Sequence, residues 1–254
     1  MIQDYVKLCN FTFELRTMKK RYIVASLFMA VFLASPADGQ NRITMPLEPF
    51  VELYVTGGID VELIPSDAKE LSITSRNGQP EEVNVEFKNN GLYLKIRPKI
   101  VKDDIISVKL PYSQLLKIDV AADAVVNSAR DLVASDINLV ATSGGKIEIS
   151  LAADMINAKV VHVSDIVLYG KAESQEVSVN TGGNYLAYDL DCKDSYVKVS
   201  SGAQAKVTAS RLIEATANSK GFIGYIGDPE TARIKTSLGG EIISFETKED
   251  ANIY

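Results

Sequence analysis

The sequence predicts an all-β protein: a single-stranded parallel β-helix of about seven imperfect coils, preceded by a strand-rich capping section. Three observations carry this. No stretch after residue 40 keeps a helical period, and short alternating strands fill the chain instead. A strand–corner–strand unit, clearest in Val140-Ala141-Thr142-Ser143-Gly144-Gly145-Lys146-Ile147-Glu148-Ile149, recurs down the second half. The recurrence has a near-constant period. A β-sandwich is the alternative, since a turn about every 10 residues also suits that class, but a sandwich leaves the period unexplained.

The chain opens on an export signal. Lys19-Lys20-Arg21 is a basic start, Tyr22 to Leu33 an apolar run, and Ala37-Asp38-Gly39 a small-residue site for a cut before Gln40. Met18, directly before the lysines, is read as the true start of translation. The apolar run falls short of the roughly 20 residues that span a bilayer, so cleavage is expected rather than a membrane anchor. No Cys follows the run closely, which argues against a lipid anchor. Residues 1–39 are therefore assigned as the signal peptide and 40–254 as one β-helical domain. Within it, 40–115 form the strand-rich part, 116–246 the coils and 247–254 a tail.

In the strand-rich part, Val51, Leu53 and Val55 alternate with polar neighbours, as do Ile59, Val61 and Leu63 beyond Gly57-Gly58. Leu71-Ser72-Ile73-Thr74 follows. Asn89-Asn90-Gly91, between Val83/Val85/Phe87 and Leu92/Leu94/Ile96, reads as a β-hairpin turn. Residues 41–115 are expected to cap one end of the solenoid, and Lys248-Glu249-Asp250 to blunt the other, because open strand edges invite aggregation.

For the repeat, the marker is the apolar residue after each corner: Val126, Ile147, Val167, Tyr185, Ala205, Ile223 and Ile242, in steps of 21, 20, 18, 20, 18 and 19. The strands before the corners carry Ile118/Val120, Leu139/Ala141, Val161/Val163, Val177/Val179, Val197/Val199, Ala215/Ala217 and Ile234. A unit of this size cannot bury its own apolar side, but stacked coils can, each strand pairing in parallel with its equivalent one coil along. Corners must be small, because the chain turns with positive φ and the next coil lies only about 4.8 Å away.

Composition bounds the function. Without residues 1–39 the chain keeps 22 of its 27 basic and 30 of its 33 acidic residues, a net charge of −8. That balance disfavours nucleic acid and anionic membranes as partners. Cys192 is the one cysteine left, so the fold rests on its core and not on a disulfide. It is read as a small buried hydrophobe. His162, the single histidine, is placed on a strand beside Val161 and Val163, without an acidic partner for general-base work.

No phosphate-binding, zinc-protease, nucleophile-elbow, dithiol or calcium-loop motif is present. Asp189, Asp191 and Asp194 suggest Ca²⁺ but lack the glycine and distal glutamate of a calcium loop, so they read as a solvated acidic loop. Arg97, Lys99, Lys102, Asp103 and Asp104 offer a sugar-acid site or, more simply, a solvated linker. Tyr169, Tyr185, Tyr188 and Tyr225 are candidates for a sugar-stacking surface, with some of them core. No catalytic, cofactor or metal residue is assigned, and the ligand-binding residues are left open.

The Ser-Gly-Gly and Ser-Gly-Ala corners resemble a known bacterial family, the putative autotransporter adhesins with a head GIN domain (DUF2807). Leu110-Pro111 before the repeat, Gly224-Tyr225-Ile226-Gly227-Asp228-Pro229 and Ser237-Leu238-Gly239-Gly240 carry the same resemblance, over roughly residues 47–246. The resemblance implies an exported β-helical protein of Bacteroidetes-like bacteria with an adhesive role, and it supplies no catalytic residues. The function expected is therefore a non-catalytic module binding glycans or surface and matrix proteins. It would sit in the periplasm, at the outer surface or outside the cell. A β-helical polysaccharide lyase or hydrolase and a passive envelope protein are the alternatives.

Overall fold

A computed structural model describes residues 41–76, 79–96, 106–128 and 130–251. The predicted signal and the Arg97–Asp104 cluster lie outside them. The strands in chain order are β1 (Asn41–Pro46), β2 (Glu52–Thr56), β3 (Ile59–Pro65), β4 (Glu70–Ser75), β5 (Val83–Lys88), β6 (Gly91–Ile96), β7 (Ile106–Tyr112), β8 (Lys117–Ala121) and β9 (Val125–Ser128). Then come β10 (Leu132–Thr142), β11 (Lys146–Val161), β12 (Asp165–Asn180), β13 (Asn184–Val199), β14 (Gln204–Thr208), β15 (Leu212–Ala217), β16 (Phe222–Ile226), β17 (Thr231–Thr236) and β18 (Glu241–Phe245), with a helical turn α1 (Lys248–Ala251). They form a β-solenoid, and the sandwich alternative is set aside.

Two ladders of parallel strands run up the molecule and meet at the tight corners. On one, β2, β8, the end of β10, the ends of β11, β12 and β13, then β15 and β17 stack in that order. On the other, β3, β9, the starts of β11, β12 and β13, then β14, β16 and β18 stack. The inward rows are aliphatic. Ile118, Leu139, Ala158, Val177, Val197 and Ala215 form one, and Val126, Ile147, Ile166, Tyr185, Ala205 and Ile223 another, all of them buried. Each large member contributes roughly 1.5–3 kcal/mol by leaving water.

The corners explain the period. At each of seven coil corners two consecutive residues take positive φ: 122–123, 143–144, 162–163, 181–182, 201–202, 219–220 and 238–239. The residue after each pair faces the coil below. A Cβ on Gly145 would stand 2.5 Å from the Val120 carbonyl oxygen, which forbids any side chain there. Geometry corrects the expected register in one coil. Ile147 pairs with Ile166, not Val167, and Ile166 with Tyr185. The preceding inward pair is Ala158/Val160, not Val161/Val163. The reason is that this coil turns on His162 (φ 59°) and Val163 (φ 56°), neither of them small, so a search for small residues settles on Ser164, after the turn, and places the corner late. With the slip removed, the markers stand 21, 19, 19, 20, 18 and 19 residues apart. His162 thus sits in a turn and not on a strand.

Val163 is 72% exposed and gains little by packing, while its branched Cβ opposes the left-handed conformation. Val163→Gly should stabilise the fold by about 1 kcal/mol, raising the melting temperature by about 2–4 °C for a domain of this size. An unchanged or lower melting temperature in calorimetry would show that the corner carries no such strain.

The first strands enter out of sequence. β2 lies between β6 and β8, and β3 between β7 and β9, so after β1 the chain enters inside the stack, runs outward and returns. Beyond this insertion the pairing turns antiparallel: β5 on β6, and β4 on both β7 and β1. Asn89 (φ 50°) and Asn90 (φ 62°) make the β5–β6 turn. Leu71, Ile73, Leu92 and Leu94 are fully buried at this end. The opposite end differs. All six residues of β17 are exposed, and α1 does not lie across them. Lys248 instead reaches back along the outer surface, its Nζ 2.8 Å from Asp189 Oδ1. α1 packs against β16 and β18, so the blunting expected of residues 248–250 does not reach β17.

Candidate functional site

Away from the corners each long strand bends at its middle, and the bends align into a groove of about 1140 Å³ running across several coils. The sequence builds it from a ladder of small residues. Ala134 pairs with Ala153, Ala153 with Ala172, and Ala172 with Cys192. Ala153, Ala172, Cys192 and Ala209 are buried and form the floor. One residue along, Asp154, Glu173 and Lys193 stand exposed on the rim, and one residue back lie Ala152, Lys171 and Asp191.

The rim carries charges of both signs. Lys193 Nζ donates to both carboxylate oxygens of Glu173, at 2.8 Å each. Arg211 forks onto Asp194 just outside the groove, with its Nε 2.7 Å from Oδ1, and holds that carboxyl below the usual carboxylate range. Three acids (Asp154, Glu173, Asp191) face three lysines (Lys171, Lys193, Lys248) along the lining, so the groove has no net charge.

The expected site residues fall as follows. Asp189, Asp191 and Asp194 lie within the strand β13 and not in a loop. Asp189 pairs with Lys248 and Asp194 with Arg211, while Asp191 faces the groove, so the three carboxylates do not converge. Among the described residues no group of three or more His, Cys, Asp or Glu is placed to hold a metal ion. Cys192 lies on the groove floor with its thiol donating to the Asp194 carbonyl at 3.2 Å. Burial pushes that thiol up to about 11, so at neutral pH it is protonated and a poor nucleophile.

The tyrosines separate. Tyr185 is wholly inside the core, and Tyr225 is partly buried against it. Tyr188 is buried on the outer surface with Phe245, at a bulge in the β12–β13 register between Val167 and Tyr169. Only Tyr169 is exposed, and its hydroxyl donates to Glu148 at 3.4 Å. They make no common stacking surface. The aromatic pair the sequence reading missed is Tyr54 and Tyr93, stacked at 4.4 Å between centroids on neighbouring β2 and β6, with Lys117 above Tyr54 and Lys95 beside Tyr93. Its signal was available: both tyrosines occupy outward positions of strands whose inward residues are leucine and valine.

The stacked, corner-turned scaffold matches a known group of bacterial proteins. The family described as Putative auto-transporter adhesin, head GIN domain, matches residues 49–229. The chain belongs to this family. No curated protein matches the chain by sequence. Among solved structures, a putative adhesin from Bacteroides fragilis superposes with a TM-score of 0.73 at 19% identity, covering 83% of this chain and 99% of that one. A putative adhesin from Parabacteroides merdae gives 0.65 at 17% identity, with 82% and 96% covered. A putative lipid binding protein from Parabacteroides distasonis gives 0.61 at 16%, with 81% and 97% covered. These neighbours share the solenoid fold of this chain. Among the described residues no helix is long and apolar enough to cross a membrane.

Proposed function

We propose that this head GIN protein is an exported, non-catalytic adhesion module of the bacterial envelope that holds an extended segment of a partner protein along the groove. The observation that carries the reading is the groove itself. It runs across stacked coils, has a floor too shallow in side chains to enclose a compact ligand, and bears three acids and three lysines along its lining. Such a rim complements the mixed charges of a polypeptide and offers carbonyl and amide groups a row of partners. A glycan is the second reading, favoured by the Tyr54–Tyr93 pair with its flanking lysines, since aromatic faces carry sugar rings. Export rests on the basic and apolar character of residues 19–33 and the small-residue site before Gln40. The non-catalytic reading is supported by the pairing of the Glu173 carboxylate with Lys193 and by the protonated Cys192 thiol.

The test exposes the chain from Gln40, one compact unit, to a panel of matrix proteins and of host and bacterial glycans, reading binding and newly formed sugar ends together. Binding of a protein without new ends is expected. Ala152→Trp, which fills the groove from its half-exposed wall, should weaken it at least ~10-fold, the loss that follows from about 1.4 kcal/mol of lost contact. Binding that survives this change would remove the groove from the mechanism, and new sugar ends would establish an enzyme.

A further inference from the structure

The two ends of the solenoid are unlike. At the first, the inward row is sealed by antiparallel strands. At the last, it is left open. Ile234 is 46% exposed although its equivalents Val197 and Ala215 are buried, and Ala232 and Thr236 are exposed beside it. Leu238, on the last corner, is 79% exposed. β17 and β18 each pair on one side, with β15 and β16, and present their other edge outward. Such an edge is a template for another strand.

We infer that this end docks against the same end of a second copy, in an isologous dimer whose two-fold axis passes through the last corner near Leu238. The reasoning is geometric. A two-fold axis along the bisector of a corner exchanges its two strands. It lays β17 of one copy on β18 of the other, and reverses the direction, so the pairs are antiparallel. In an antiparallel pair the residues directly opposite point to the same face. Inward Ala232, Ile234 and Thr236 must therefore meet inward Ile242 and Ser244, which fixes the parity of the register. Two registers satisfy this near the corner. One sets Lys235 opposite Ile243 of the second copy. The other sets Lys235 opposite Glu241, Ile234 opposite Ile242, and Leu238 opposite itself.

The second register is favoured on every count. β17 carries its outward charges as Arg233 and Lys235, and β18 carries Glu241, so the dimer gains two Lys–Glu pairs across the seam. Opposite charges directly across antiparallel strands are favourable, and like charges are not. It also extends the aliphatic row through both molecules. Isologous contact closes on itself, so the assembly stops at two. Stacking tail onto head would instead continue without limit. In the dimer both grooves lie on one continuous two-headed rod, which doubles the contacts available to a repeating partner.

The test uses the chain from Gln40 and two readouts. Sedimentation velocity between ~1 and ~100 μM, the range over which weak specific interfaces assemble, should show a monomer–dimer equilibrium and nothing larger. Leu238→Cys should form a disulfide-linked dimer under mild oxidation, because the two copies meet at that residue and Cys192 is buried. Lys220→Cys, on the corner one coil inward, should not. Lys235→Glu and Glu241→Lys should each weaken the dimer at least ~10-fold, and the double exchange should restore it to within ~3-fold, as expected of residues that act as a pair. A monomer throughout the range with no crosslink at residue 238 overturns the inference. So do open-ended polymers, or a double exchange no better than the single ones. Circular dichroism of each variant keeps loss of fold apart from loss of contact, and all four positions are exposed enough to change without touching the core.

Discussion

Gly170→Ala should cost about 4 kcal/mol or more, enough to abolish cooperative folding of a marginal domain. Gly170 sits in β12 at φ 107°, outside the left-handed basin that serine and threonine occupy at the corners. A Cβ built there would lie 2.1 Å from the carbonyl oxygen of Leu151, one coil below. That oxygen cannot retreat, because β11 and β12 are paired from Lys146–Asp165 through Val161–Asn180 and lock the two coils together. The change thus combines a backbone conformation open only to glycine with an overlap against main chain. Gly182 is the control. Its φ is 71° and its nearest neighbour is a Val163 methyl at 3.6 Å, so Gly182→Ala should cost only about 1–2 kcal/mol, the ordinary penalty of a left-handed residue. Denaturant unfolding followed by circular dichroism measures both. Equal losses at the two positions would show that coil spacing is not what holds Gly170.

Much of this scaffold was legible in the sequence, because the solenoid writes its constraints periodically. A corner needs two left-handed residues and then a small one, and a strand needs alternation, so Ser143-Gly144-Gly145 and Thr181-Gly182-Gly183 announce the coil height. The one corner that slipped, His162-Val163-Ser164, pays the left-handed cost without the usual residues, and the alternation of Val160, Val161 and Val163 pointed to a strand running through it. The insertion of β2 and β3 between later strands was not legible, since alternation gives a strand its faces but never its neighbours. The groove was harder still. Its floor of Ala134, Ala153, Ala172 and Cys192 becomes one surface only when the coils are stacked in register, and the rim charges look, one coil at a time, like solvated loops. For Asp189–Asp194 the acidic composition suggested a loop, whereas Leu190 and Cys192 between the acids are inward residues of a strand.

Removing one member of the buried polar cluster in the core should be costlier than removing all of it. Tyr185 takes the place held by Ile166 below and Ala205 above, and its hydroxyl donates to Gln175 Oε1 at 2.7 Å. Gln175 Nε2 donates to Ser195 Oγ at 2.8 Å, and Ser195 Oγ donates to the Thr208 carbonyl at 2.6 Å. Gln175 and Ser195 stand in a row whose other members are Ile137, Ile156 and Ile213, and Tyr185 stands in another row, so three polar side chains interrupt two aliphatic columns. Burial pushes the Tyr185 hydroxyl well above its ordinary titration range, so it stays protonated and remains a donor. Gln175→Leu leaves that hydroxyl without its partner, at about 1–3 kcal/mol, and takes away the donor to Ser195 Oγ, which keeps its own bond to the Thr208 carbonyl. The triple change Tyr185→Phe, Gln175→Leu and Ser195→Ala removes both hydroxyls as well, and should come back to within about 1–2 kcal/mol of the parent, because apolar replacement of a whole buried network is often neutral. Chemical denaturation of the single and triple variants decides it. A triple variant as weak as the single one would mean that the cluster serves packing and not hydrogen bonding. Recovery would mean that the interruption of the columns is not required for stability. The cluster adjoins the groove floor through Cys192, whose amide donates to Thr208 Oγ1 at 3.1 Å. Its retention would then be explained by the fixed position it gives that floor.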